Sequence, residues 1–171
     1  MLPIFPERAV DTPAVEVLLD RAFGPDRRQK TVYRLREDTS PIAELCFLSY
    51  GGAGVDGSIR FWPVEVAGRG ALPALLLGPV AVAVERRSQG LGRALVRHGL
   101  AAARQLGHGA VILVGDPSYY GQFGFERRLT VSLSLPGAVD PERFLGLELR
   151  PGALAGAAGA VLPSWRCLRA A

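Results

Sequence analysis

The chain has 171 residues, of which 49% are hydrophobic and 21% charged, and its formal net charge is +4. This length and balance predict a single domain over residues 1–171, with a weakly patterned tail from about residue 151, and exclude a largely disordered chain. No run of five like charges marks a nucleic-acid-binding tail, so we expect no nucleic-acid partner. We interpret the positive charge as a solvated surface, with a site for a polyanionic ligand left open.

The amino terminus and the longest apolar run indicate neither export nor a membrane span. The segment MLPIFPERAV lacks the basic region and the long apolar core of a signal peptide. The run from Ala71 to Val84 is interrupted by two prolines and a glycine, and is too short to cross a bilayer. Cys46 and Cys167 fit no metal spacing, so no metal site is predicted, and one disulfide between them stays open. We therefore expect a cytoplasmic protein without a membrane partner.

The first half of the chain predicts two helices and an antiparallel hairpin. One helix begins at Asp11-Thr12-Pro13 and stops at Gly24-Pro25, and a second, charge-dense helix is predicted from Arg27 to Arg36. Strands are then predicted at IAELCFLSY (42–50) and SIRFWPVEV (58–66), separated by a glycine-rich loop.

A βαβ unit is predicted next. The nearly apolar segment 74–84 indicates a buried strand, in which Gly78-Pro79 either separates two strands or forms a bulge that splays the strand from its neighbour. A helix follows Gly92 and stops at Gly107, and AVILVGD predicts a second, parallel strand with a right-handed crossover. PSYYGQFGF predicts a short helix or turn, whereas RLTVSLSL and FLGLELR predict two further strands.

The turn Arg87-Ser88-Gln89-Gly90-Leu91-Gly92 lies between the first strand and the helix of this unit. Free backbone N–H groups and the helix dipole make such a turn a site for a phosphate, which glycines allow to approach closely. A Walker loop is excluded because Arg93-Ala94 follows the second glycine. A Rossmann fingerprint stays open, since Asp116 ends the next strand, although Leu95 replaces its third glycine. A structural turn without a ligand is the third alternative.

The pattern Arg87-x-x-Gly90-x-Gly92, followed in order by Tyr120-Gly121-Gln122-Phe123-Gly124-Phe125, resembles the GNAT superfamily of acyl-CoA-dependent N-acyltransferases. The segments LLLGPVAV, VGDPSYYGQFGFER and LELRPGALAG are similar to the YhbS-like branch of bacterial acetyltransferases. The resemblance runs from about Ala9 to Gly159. It implies the α/β GNAT fold, with a mixed, mostly antiparallel central sheet, flanking helices and a splayed, bulged fourth strand.

The resemblance implies acetyl-CoA as co-substrate. The turn and its neighbouring arginine would hold the pyrophosphate of coenzyme A, and the bulged strand would pair with the pantetheine arm like an added strand. A backbone N–H on that strand would polarise the acetyl carbonyl. The implied cofactor-binding residues are Val82, Val84, Arg87, Ser88, Gln89, Gly90, Leu91, Gly92 and Arg93.

The implied reaction is direct attack of a primary amine on the thioester, with Tyr120 as the general acid that protonates the leaving thiolate. We interpret Tyr119 as a core aromatic residue. The general base is not identified: Glu44, Glu65 and Asp116 are acidic candidates, each more simply explained as a surface or structural carboxylate.

Several other residues bear on the implied site. His98 is interpreted as a residue on one face of the central helix and His108 as a surface residue, and neither is given a catalytic role. Glu85 stands where the family often has proline, and the segment between the strand and Tyr120 is short. A cofactor contact that relatives make from that segment would fall here to Asp116 or Ser118.

The implied activity is therefore N-acetyltransfer to a small-molecule or peptide amine. Two other functions stay open: a non-catalytic acyl-CoA-binding or regulatory module, and a nucleotide-dependent oxidoreductase. A homodimer is compatible with the sequence, which does not specify the acceptor.

Overall fold

Residues 2–52, 54–68 and 70–164 are described by a computed structural model, and within these ranges the chain forms eight strands and four α-helices joined by short 3₁₀ turns. Cys46 is buried with a free thiol, and Cys167 lies outside the described residues. The elements are β1 (Phe5–Pro6), α1 (Thr12–Phe23), α2 (Thr31–Arg34), β2 (Phe47–Gly51), β3 (Gly54–Val66), β4 (Leu72–Val82), α3 (Leu91–Gln105), β5 (Ala110–Val114), α4 (Pro117–Tyr120), β6 (Leu133–Ser134), β7 (Phe144–Glu148) and β8 (Gly159–Pro163).

The main sheet has the strand order β1-β2-β3-β4-β5-β7, and its neighbours are antiparallel except for the parallel pair β4 and β5. Helix α3 connects these two parallel strands, which is the predicted βαβ unit. Strand β8 pairs with the far end of β3 and also, in parallel, with β6. The predicted mixed, mostly antiparallel sheet is confirmed.

The fourth strand is bulged and leaves its parallel neighbour. Opposite Arg60 of β3 the register shifts, so that β4 carries two residues, Gly78 and Pro79, against one. Strand β4 pairs with β5 only at Leu75 and Leu76. Beyond this point the edge of β4 that faces β5 has no strand partner among the described residues, because a bulge bends and twists the strand that carries it. The predicted splayed fourth strand is therefore confirmed.

Alternating side chains divide the apolar residues between the two faces of the sheet. Leu75 and Leu77 of β4 pack under α3, whereas Ala74 and Leu76 pack into a second cluster on the opposite face. Helix α1 covers part of that opposite face. Among the described residues, no helix has the length and apolar content needed to cross a bilayer.

Helix α3 approaches the sheet closely because Gly99 lies at its centre. A Cβ at this position would stand 2.5 Å from Cε2 and 2.8 Å from Cζ of Phe61, whose side chain is fully buried in β3. Glycine within a helix is less favourable than alanine by roughly 0.5–1 kcal/mol. We infer that contact between the helix backbone and the phenylalanine ring offsets this loss.

The predicted helix from Arg27 to Arg36 is wrong in part. Residues Pro25–Gln29 form a 3₁₀ turn, Lys30 is extended with ψ 144°, and α2 has only four residues. The Arg27 side chain turns inward and pairs with carboxylates of α1. Helical periodicity within residues 27–36 cannot indicate these ion pairs, because the carboxylates that Arg27 contacts belong to α1.

The extent of several predicted strands also differs, and β1 and β8 were not predicted. The strand over 42–50 begins only at Phe47, the strand over 74–84 ends at Val82, and RLTVSLSL contributes only Leu133–Ser134. The Thr130 hydroxyl lies within hydrogen-bond distance of the carbonyl oxygens of Arg127 and Phe144, which precede and follow this last segment, and so stabilises a turn in the chain. Strand β8 lies in the small-residue tail, where pairing with β3 and β6 rather than side-chain pattern makes it a strand.

Replacing Gly99 with alanine should destabilise the protein by about 1–3 kcal/mol, although alanine is the better helix former, because the added methyl group would overlap the Phe61 ring. Urea unfolding followed by circular dichroism measures this change. Gly52→Ala is the matched control, since nothing lies within 4 Å of a Cβ there, and its midpoint should stay close to that of the wild type. Equal stability of Gly99→Ala would show that the ring moves aside freely.

Candidate active site

A cavity of about 600 Å³ lies where β4 and β5 separate. One wall is the bulge from Leu77 to Val80, and another is the end of β5 from Val114 to Asp116 together with Tyr120. Residues of α2 and of the segment 138–143 close the remaining sides. This volume suits a small molecule or a short side chain.

The glycine turn forms the amino terminus of α3. Gly90 is the N-cap residue with φ 84°, and Ser88 also has a positive φ, 61°. The N–H of Ala94 is the first to bond within the helix, to the oxygen of Gly90 at 3.0 Å. The N–H groups of the first three helical residues, Leu91 to Arg93, therefore have no acceptor in the helix. Together with the dipole of a 15-residue helix, these groups are suited to bind an anion.

The side chains of this turn are directed largely to solvent. Arg87, Ser88 and Gln89 are exposed, and the Gln89 amide donates to the Glu85 carbonyl at 2.9 Å. Arg93 is exposed too, and its Nη2 lies 3.7 Å from where a Cβ of Gly90 would stand. The arginines at both ends of the turn therefore add positive charge to the N–H groups.

The two valines predicted to contact the cofactor differ in position. Val82 is the last residue of β4 and pairs with Gly57 of β3. Val84 lies outside the strand, in the 3₁₀ turn Val84–Arg86, where its carbonyl accepts from the N–H of Arg87 at 3.2 Å. The prediction that the strand reaches Val84 is thus wrong, because the chain turns one residue after Val82 to enter the glycine turn.

Tyr120 ends the short helix α4 and lines the cavity. Its ring packs edge-on against Phe125, with ring centroids 5.8 Å apart, at the margin of the core under α3. Burial raises the pKa of Tyr120 to about 12, so the hydroxyl is protonated at neutral pH. Within the described residues no group hydrogen-bonds to this hydroxyl, which leaves it available to a ligand.

Tyr119 is not the core aromatic residue that was expected. It is half-buried outside the main core cluster, and its ring meets that of Tyr120 edge-on at 5.0 Å. Its hydroxyl lies 2.9 Å from where a Cβ of Gly92 would stand, and Cγ2 of Val82 lies 3.5 Å from the same point. Gly92 thus lets the glycine turn, the end of β4 and the tyrosine pair meet.

Of the three acidic candidates for a general base, one lines the cavity. Glu44 is exposed in a 3₁₀ turn, and Glu65 lies near the far end of β3, opposite Pro73. Asp116 lines the cavity, but it caps α4 by accepting from the N–H and the hydroxyl of Ser118 at 2.8 and 2.7 Å. These hydrogen bonds hold the pKa of Asp116 below its usual value.

Neither histidine lines the cavity among the residues described. His98 is exposed on α3 and packs edge-on against Phe47, and His108 follows the carboxyl end of that helix, where burial lowers its pKa. In the part of the chain that the structure covers, no group of three His, Cys, Asp or Glu side chains is arranged to hold a metal ion.

The contribution of α2 and its flanks to the cavity wall was not predicted from the sequence. Arg27, Lys30, Tyr33 and Arg36 all line this wall, and Arg143 faces them from the segment before β7. The available signal was the charge density of residues 27–36, whose polar side chains fit no amphipathic helix. Only the packing of this segment over β4 turns them towards the site.

Comparisons with known proteins agree with this architecture. The acetyltransferase (GNAT) domain family matches residues 8–128. The Escherichia coli K12 protein YhbS, an uncharacterized N-acetyltransferase, is 38% identical over 126 residues, which cover 70% of this chain and 71% of YhbS. These matches confirm the family indicated by the turn and the tyrosine segment.

Two crystal structures extend the similarity to nearly the whole chain. E. coli YhbS in complex with CoA has a TM-score of 0.77 and 33% identity, covering 99% of this chain and 93% of that one. A GNAT family acetyltransferase from Brucella melitensis in complex with acetyl-CoA has a TM-score of 0.70 and 25% identity, covering 96% and 97%. With its splayed fourth strand, its glycine turn and these matches, the chain belongs to the GNAT family of acetyltransferases.

Proposed function

We propose that this chain transfers the acetyl group of acetyl-CoA to a primary amine of a small molecule or peptide, by direct attack and without an acyl-enzyme. The observation that carries this proposal is the close approach at Gly92. There an anion-binding helix terminus, the free edge of β4 and a tyrosine pair meet beside one cavity. The complexes of the two similar acetyltransferases with CoA and acetyl-CoA support the choice of donor.

The residues present fit coenzyme A. The unpartnered N–H groups at the start of α3, with Arg87 and Arg93 beside them, suit a pyrophosphate. In the part of the chain that the structure describes, the edge of β4 that faces β5 lacks a strand partner beyond Leu76. This edge suits the amide groups of a pantetheine arm, which would pair with it up to Val82. This arrangement directs the thioester towards the bulge and the cavity.

The chain's own groups then have separate roles. An N–H on the free edge of β4 donates to the carbonyl oxygen as the amine nitrogen bonds to the carbonyl carbon. As the carbon–sulfur bond breaks, the Tyr120 hydroxyl gives its proton to the sulfur and is reprotonated from solvent. The ammonium proton leaves through water, which agrees with the engagement of Asp116 as a helix cap.

An amine screen tests the proposal. The protein is incubated with acetyl-CoA and representatives of each amine class, and thiol release and the mass of the product are measured. We expect amine-dependent thiol release with one acetyl group added per thiol. Binding of acetyl-CoA without transfer to any amine class would instead identify a non-catalytic acyl-CoA-binding module.

Gly90→Asp should abolish measurable binding of acetyl-CoA in calorimetry, because a carboxylate at the helix start crowds and repels the pyrophosphate. Gly107→Asp is the matched control: Gly107 has nearly the same φ, 82° against 84°, but follows the opposite end of α3. It should bind acetyl-CoA like the wild type. Unchanged affinity in Gly90→Asp would overturn the assignment of the turn.

Tyr120→Phe should lower kcat on the order of 100-fold with little change in the Kd of acetyl-CoA, because the leaving thiolate loses its proton donor. Tyr119→Phe is the control and should keep kcat near the wild-type value. Since burial raises the pKa of Tyr120 to about 12, its protonated form persists below that pH. The wild-type kcat should therefore show no loss from this group up to about pH 10. A Tyr120→Phe enzyme with full kcat, when chemistry limits the rate, would contradict the role.

A further inference from the structure

Arg36 follows α2 by two residues and carries a buried charge that no carboxylate of the described residues pairs with. The residue is 8% exposed and lines the cavity beside the bulge of β4. Its Nε and Nη1 atoms are buried and have no hydrogen-bond partner among the residues that the structure describes. A buried cationic donor without a partner is strongly unfavourable, so an anion bound from outside the chain would stabilise this position.

Two aromatic rings cover the Arg36 guanidinium without replacing that anion. Its central carbon lies 4.4 Å from the ring centroid of Tyr33 and 5.5 Å from that of Trp62. The Trp62 ring is itself held by a hydrogen bond from Nε1 to the Gly78 carbonyl at 2.8 Å. Stacking of this kind orients a guanidinium and contributes less than a charge-assisted hydrogen bond to a carboxylate.

The neighbouring buried arginines, by contrast, are matched. Arg27 pairs with Glu16 at 2.5 Å, and Arg60 pairs with Glu7 at 2.5 Å and with Glu16 at 2.7 Å. Burial, with smaller contributions from these two cations, lowers the pKa of Arg36 to about 10, although the neighbouring tyrosine raises it. Arg36 therefore stays charged at neutral pH, whereas the nearby carboxylates of Glu7 and Glu16 pair with Arg27 and Arg60.

The unmatched guanidinium lies beside the expected position of the reacting carbonyl. Its Nη2 is 3.4 Å from where a Cβ of Gly78 would stand, at the bulge where β4 leaves β5. Tyr120 lines the same cavity. The charged side chains of the cavity wall are predominantly basic: Arg27, Lys30, Arg36 and Arg143 against Asp116 and Asp140.

We propose that Arg36 binds a carboxylate of the acceptor, so that the acceptor is a small amine of the amino-acid class. The inference rests on the proposed acetyltransfer, and it specifies the substrate of that same site. The planar guanidinium matches a carboxylate, and its distance from Gly78 leaves the amine of such a molecule within reach of the bulge. Among the described residues, Arg36 is the one buried arginine without a carboxylate partner, and one guanidinium favours a singly charged group.

The test compares the standard amino acids with their carboxamides, which keep the shape and the amine but remove the negative charge. Thiol release gives kcat/KM for each pair, and calorimetry gives the affinity of each compound for the CoA complex. We expect amino acids to be acetylated at least about 10-fold more efficiently than their carboxamides. Arg36→Met should remove this preference, lower kcat/KM for amino acids about 10- to 100-fold, and leave the Kd of acetyl-CoA unchanged.

Arg34→Gln is the matched control, because Arg34 is exposed on α2, donates to the Pro136 carbonyl at 2.6 Å and does not line the cavity. It should keep the preference for the carboxylate. Equal use of amino acids and carboxamides, or a preference that survives Arg36→Met, would overturn the inference while leaving acetyltransfer intact. If acetyl-CoA binds but no amine is acetylated, the proposed function fails. Calorimetry then decides the inference. Tighter binding of amino acids than of their carboxamides, lost in Arg36→Met, would support it, and equal binding of the two would overturn it.

Unfolding in urea separates a ligand-binding role from a packing role. Without an acceptor, Arg36→Met removes an unmatched charge and keeps an apolar chain between the two rings, so its midpoint should equal or exceed that of the wild type. A lower midpoint together with unchanged discrimination against carboxamides would assign Arg36 to packing. Arg36→Lys keeps the charge with fewer donors and should restore part of the preference for the carboxylate.

Discussion

The divergence of β4 from β5 is the constraint on which the rest of the molecule depends. Two parallel strands that pair at only two positions leave a wedge in an otherwise continuous sheet. The bulge of Gly78 and Pro79 opens this wedge, and the sheet on either side keeps it open through antiparallel neighbours, β3 for one strand and β7 for the other. A strand edge without a partner is usually a liability, whereas here it borders a cavity that a ligand can occupy.

The position of α3 converts this opening into a site. The helix crosses from β4 to β5, and the close contact between Gly99 and Phe61 fixes its height above the sheet. Its amino terminus consequently stands beside the end of β4, with Gly92 admitting the Tyr119 hydroxyl. The two glycines of α3 thus have different roles. Gly99 allows close packing on the core, and Gly92 leaves space beside the N–H groups at the start of the helix.

The side of the cavity formed by α2 and its flanks contains buried arginines. The face of the sheet under α1 buries arginines, which is tolerable only when carboxylates or ligands match them. Glu16 joins Arg27 and Arg60 into one network, so that segments distant in sequence are held together. Arg36 shares this environment without sharing the network. On this face, the matched arginines hold segments of the fold together, and the proposed carboxylate site lies at the unmatched one.

The sequence by itself determined α1, α3, the βαβ unit and the glycine turn, because periodicity, glycine and proline act over a few neighbouring residues. From the residues alone, Gly78-Pro79 could either form a bulge or separate two strands. The sequence also determined the family, since the turn and the tyrosine segment occur in the right order. Only the tertiary structure decided that β8 is a strand, that residues 27–36 contain a helix of only four residues and line the cavity, and that Tyr119 reaches α3. Only the tertiary structure also showed that Arg36 lacks the carboxylate partner that Arg27 and Arg60 have, because the partners of a buried charge come from distant parts of the chain.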